Sequence, residues 1–135
     1  TGMCFITCRR LELGVVGGSN HVAASSGAMV LINGTTLTIS GGPTYACFSV
    51  ATGSSIQLWG TAITVTASFT VPCFIVAASF GMISSGGLTF SLGGNVITGQ
   101  RYIAQIGGGI AVNGGGANYF PGTSAGTATS PGWYA

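Results

Sequence analysis

The stretch Ile63-Thr64-Val65-Thr66-Ala67-Ser68-Phe69-Thr70-Val71 alternates apolar and mostly hydroxyl-bearing residues without a break. Successive side chains of a strand point to opposite faces, so Ile63, Val65, Ala67, Phe69 and Val71 would share one side. Thr64, Thr66, Ser68 and Thr70 would share the other, the pattern of a half-buried strand with a wet face. Leu37 and Ile39 alternate with Thr36, Thr38 and Ser40 in the same way, as do Leu88, Phe90 and Leu92 with Thr89 and Ser91. Further strands are expected over 3–8, 11–16, 47–51, 56–59, 73–80, 96–98 and 102–106. Residues 29–32, Asn33-Gly34 and 35–40 read as a hairpin with a type I′ turn. A short helical turn fits 21–28, and no long amphipathic helical period is present.

Turn signals such as Gly41-Gly42-Pro43, Gly86-Gly87 and Gly93-Gly94-Asn95 punctuate these segments. Their spacing of about 8–12 residues is the rhythm of an all-β sandwich or barrel. No exact repeat of fixed period stands out, so nothing compels a solenoid. The expected fold is therefore an all-β, antiparallel sandwich or barrel-like domain over 1–106. A Gly-rich, extended tail anchored by its aromatics follows over 107–135.

Composition narrows the chemistry. Only 3% of the 135 residues are charged, against about 25% in an ordinary soluble domain. Glu12 is the sole acid, and Arg9, Arg10 and Arg101 are the sole Lys or Arg residues. Paired-carboxylate hydrolysis and carboxylate-rich Ca²⁺ or Mg²⁺ sites need acids that are missing. Three arginines are too few for a nucleic-acid footprint. The glycine patterns within 107–116 lack the helix and downstream acid of a dinucleotide site, so no cofactor is expected. One histidine, His21, and four cysteines without a CxxC give no metal site. A Cys–His dyad would have Glu12 as its only carboxylate, and no catalytic residue is expected. The apolar run 71–83 is shorter than the roughly 18 residues a spanning helix needs, so no membrane partner is expected.

A free domain with so few charges would self-associate, since soluble surfaces carry about 25–35% charged residues. The chain is therefore read as a subunit of an assembly. Tyr119, Phe120, Trp133 and Tyr134 are the candidate interface anchors, aromatics being favoured there. Arg9 and Arg10 are a candidate contact to an acidic surface, against the alternative of a solvated edge; Arg10 and Glu12 would share a strand face and could pair. Cys4, Cys8, Cys47 and Cys73 are either buried small hydrophobes or candidates for disulfides, within or between chains. Cys4 and Cys8 would sit about 13 Å apart on one strand, too far to bridge each other. The Thr rows suggest a water-ordering, ice-binding face, but such proteins usually show the regular repeat that this reading does not find.

The tail carries a resemblance. Gly114-Gly115-Gly116, Asn118-Tyr119-Phe120-Pro121-Gly122, Ala125-Gly126-Thr127 and Tyr134-Ala135 resemble the C-terminal signature of small glycine-rich virion proteins of tailed phages and prophages. Related chains end in a GGQYA-like string where this one has Pro131-Gly132-Trp133-Tyr134-Ala135. The match covers roughly residues 102–135, and the rest agrees only in composition. The resemblance implies a non-enzymatic capsid-decoration, cement or fibre component. It would be assembled in the host cytoplasm into the virion, with itself (a homotrimer or other homo-oligomer) and other virion proteins as partners. The alternative is a receptor- or carbohydrate-binding tip module of a phage tail.

Overall fold

The computed structural model describes residues 3–5, as backbone, and 10–135. Among the described residues the protein is all-β, with fifteen strands and no helix. They are β1 (Met3–Phe5), β2 (Arg10–Leu13), β3 (Asn20–Ala24), β4 (Met29–Leu31), β5 (Thr36–Ile39), β6 (Ala46–Val50), β7 (Ser55–Trp59) and β8 (Ala62–Val65). There follow β9 (Phe69–Ala77), β10 (Met82–Gly86), β11 (Thr89–Ser91), β12 (Ile97–Ala104), β13 (Gly109–Ala111), β14 (Thr127–Ala128) and β15 (Trp133–Tyr134).

Every third strand is a hydrogen-bonded neighbour, until the last coil. Sheet A runs β1-β4-β7-β10-β13-β15, sheet B runs β11-β8-β5-β2, and sheet C runs β14-β12-β9-β6-β3. All pairings are parallel. The chain is thus a three-sided parallel solenoid, which corrects the expected antiparallel sandwich or barrel. Ser55 pairs with Met29 on one side and Met82 on the other, and Met82 with Gly109, so one coil takes 26 or 27 residues. Alternation marks a strand and its faces but is the same whether the neighbour runs parallel or antiparallel.

Three local expectations fail for stated reasons. The stretch 63–71 is not one strand: β8 ends at Val65, residues 66–68 turn a corner, and β9 begins at Phe69 in another sheet. The Asn33-Gly34 hairpin is also a corner. A type I′ turn needs positive φ at both central residues, and only Gly34 has it. The Gly34 N–H instead donates to Trp59 O in the next coil, at 2.8 Å. The helical turn expected over 21–28 is strand β3 followed by another corner.

Apolar side chains stack coil upon coil. Val30, Ile56, Ile83 and Ile110 form one buried column, and Leu37 and Ile63, continued by the half-buried Phe90, another. Phe48, Ile75 and Tyr102 form a third. Buried hydroxyls tie coils together: Ser54 Oγ donates to Ala24 O at 2.6 Å and Thr61 Oγ1 to Ile32 O at 2.8 Å. A satisfied hydroxyl can be buried where an orphan could not.

Candidate functional site: the open end of the stack

The regular coils leave little for chemistry. His21 Nε2 lies 2.9 Å from Gly14 O and its Nδ1 is buried without a partner. Burial holds its pKa below the usual histidine value, the Gly14 hydrogen bond opposing this only in part. Cys47 and Cys73 are free, buried thiols. Burial pushes the Cys47 thiol well up and that of Cys73 up to about 12. Neither supplies a thiolate at neutral pH, and neither can reach a cysteine of another chain. Cys4, Cys8 and Arg9 lie outside the residues whose side chains are described. Arg10 and Glu12 are exposed on β2 without an ion pair between them; Glu12 Oε1 accepts from Ser40 Oγ at 2.9 Å. The hydroxyl columns of sheet B, Thr36 with Thr89 and Thr38 with Thr64 and Ser91, are broken by Arg10, Glu12 and Ala62.

The last coil is different. Sheets A and C each gain a further strand there, but sheet B stops at β11. Residues 112–126 run across the open end instead. Their aromatics close it over the core: Phe120 is 1% exposed, 6.3 Å from the Phe74 ring and 5.0 Å from Tyr119. Tyr134 stacks on Tyr102 at 3.7 Å and donates from its hydroxyl to Gly116 O at 2.7 Å. Tyr119 Oη accepts from the Leu88 N–H at 2.9 Å. Of the four expected anchors, three therefore close their own chain's core. Trp133 lies outside, over Gly109 on sheet A. The tail over 107–135 is not detached from the body, since β13, β14 and β15 continue its sheets.

A cleft of about 280 Å³ opens in this cap, lined by Phe90, Leu92, Arg101, Asn118, Tyr119, Phe120, Pro121 and Gly122. Two of its rings, Phe90 and Tyr119, meet at 88° with centroids 6.2 Å apart and form an aromatic corner. Its far wall is nailed to β12. Arg101 N–H donates to Ser124 O, Ser124 N–H to Gly99 O, and Gly99 N–H to Thr123 Oγ1. A Cβ on Gly99 would lie 1.7 Å from Val71 O, so only glycine lets β12 approach β9 there.

Arg101 ends the column it stands in. Gln100 pairs with Cys73 and Tyr102 with Ile75, which sets Arg101 beside Phe74; the same reasoning sets Phe74 beside Cys47. Cys47 and Phe74 are buried in the core, and the part-buried His21, beside Cys47, ends the column on the first coil. Arg101 occupies the equivalent position where the missing sheet B strand leaves an opening. Among the described residues it has no ion-pair partner, and the other described side-chain charges, Arg10 and Glu12, lie on β2 at the opposite edge of sheet B. Sequence reasoning passed over Arg101 and Phe90 as site residues; a lone arginine in a nearly uncharged chain was the available signal.

A second surface is the outer face of sheet A. Trp59, Met82 and Trp133 are each 41% exposed on it, with Trp59 laid over Gly86 and Trp133 over Gly109. Ser55, Gln57 and Ser84 fill the space between, and no strand of this sheet carries a charged residue. Trp59 was not singled out from the sequence, because the glycine that receives its ring lies a full coil away. No protein-family model matches this chain, and no curated protein or solved structure matches it either.

Proposed function

We propose that this chain is a non-enzymatic structural protein of a tailed-phage virion, a capsid-decoration or fibre subunit that acts by adhesion between copies. The observation that carries the reading is the charge-free outer face of sheet A with Trp59, Met82 and Trp133 exposed. Exposed aromatic and thioether side chains interspersed with hydroxyls and amides, without charge, are what an interaction surface presents. Two identical uncharged faces meet without like-charge repulsion, and the parallel stack holds them rigid. The tail's resemblance to virion proteins points the same way.

The test is the mass of the native protein by light scattering. The expected result is a discrete trimer or other closed oligomer that falls to the 13.3 kDa monomer when Trp59→Glu and Met82→Glu are combined. Both sites are exposed, so the fold should survive, as circular dichroism would check. A wild-type monomer at all concentrations overturns the reading. A second reading, a receptor-binding tip, is favoured by the aromatic cleft and its unpaired guanidinium.

A further inference from the structure

We infer that the cleft at the open end binds a carboxylate-bearing sugar ring, of the uronate class. The assignment rests on the receptor-binding reading and is independent of assembly through sheet A. Three observations converge. First, Arg101 follows Phe74 and Cys47, both core residues, in a column that the part-buried His21 ends on the first coil. A charge placed where its neighbours are apolar breaks the local pattern, and such breaks mark functional positions. Second, Arg101 is only partly exposed and has no ion-pair partner among the described residues. A planar guanidinium offers two parallel donors that match one carboxylate. Third, its neighbours are a right-angled corner of Phe90 and Tyr119, with the exposed Asn118 at the rim.

These features select among anions. Among the described residues one cation lines the cleft, so a monoanion is neutralised where a dianionic phosphate would stay half-compensated. The cleft, at about 280 Å³, lies just below the roughly 300–1,000 Å³ of typical small-molecule sites, so it suits a single ring. Aromatic walls suit the C–H face of a pyranose. The open mouth and the Asn118 amide leave its hydroxyls hydrated or hydrogen-bonded. A bare anion would use Arg101 and waste the rings, and a neutral sugar would use the rings and leave Arg101 unpaired.

The experiment is calorimetric titration of the full chain with sodium glucuronate, with glucose and sodium acetate as the two half-ligands. NMR shifts of the Arg101 side chain and the Phe90 ring locate the site. The expected result is weak binding of glucuronate, with Kd of order 1 mM, and at least about tenfold weaker binding of either half-ligand. Arg101→Gln should lose about tenfold or more, Arg101→Lys should retain an intermediate affinity, and Arg10→Gln should change nothing. Glucose or acetate binding as tightly as glucuronate overturns the assignment. So does full binding by Arg101→Gln, or the absence of shifts at Arg101 and Phe90. The oligomeric mass of Arg101→Gln should equal that of the wild type, so a failure of this site and a failure of assembly read out separately.

Discussion

The middle coils and the last coil use the same strands for opposite ends. From β4 to β12 each coil contributes one strand to each of three sheets, and apolar columns such as Val30, Ile56 and Ile83 repeat with the register. The last coil omits its sheet B strand and closes the core with Tyr119, Phe120 and Tyr134. Repetition exposes an unfinished core at each end of a stack, and such proteins need a dissimilar terminal unit to cover it. Here a cleft lies where the covering unit meets the last regular coil, which supplies Phe90, Leu92 and Arg101. The regular coils offer faces; their junction with the irregular one offers a site.

The comparison is broken most severely at its centre. Phe74→Ala removes a fully buried ring that touches Phe48, Phe90 and Phe120. It should cost about 4 kcal/mol, seen as an earlier urea midpoint of a single transition. Phe120→Ala should cost about 3 kcal/mol but act locally. Hydrogen exchange should show β13 and β15 losing protection while β7 to β9 keep theirs. Loss spread evenly over all coils would mean that cap and stack are one cooperative unit.

A smaller effect sharpens the comparison inside the regular coils. Each coil turns from sheet C to sheet A through two consecutive positive-φ residues: Ser26-Gly27, Thr52-Gly53, Ser79-Phe80 and Ile106-Gly107. Phe80 stands where the other three coils have glycine, at φ 62°, and is 74% exposed. A left-handed conformation costs a side-chain-bearing residue about 1–2 kcal/mol. Phe80→Gly should therefore stabilise the protein by about 1 kcal/mol in thermal unfolding, after the greater chain entropy of glycine is allowed for. A loss would show that the ring's contact over Gly107 outweighs the strain.

The smallest effects separate the two ends by pH. His21, in the first coil, has a folded pKa below its ordinary 6.5. The unfolded chain then binds its proton more readily, so stability should fall as pH drops below about 6.5, and His21→Gln should flatten that slope. Tyr134, in the last coil, is pushed up to about 12 by burial, with Tyr102 and Tyr119 adding to it. Its contribution is intact below pH 10 and is lost as pH rises from there towards 12. Tyr134→Phe should remove that alkaline loss while keeping the stack on Tyr102.

The repeat was present in the sequence as glycines rather than as similar strands. Gly34, Gly60, Gly87 and Gly114 all have positive φ at the same corner, and their spacing is the coil length. Around them the outward residues vary freely, from Ser55 to Met82 to Gly109, and this hides the period from a reading based on side-chain likeness.

By itself the sequence determined that the chain is β, which residues of most strands face inward, and that charge-based chemistry is nearly absent. Those properties follow from alternation and composition, which are local. Only the tertiary structure decided that neighbours are parallel, that 63–71 bends, that Trp59 lies over Gly86, and that Arg101 opens into a cleft. Each depends on register between residues a coil apart, and register comes from the packing of stacked columns rather than from any single stretch of chain.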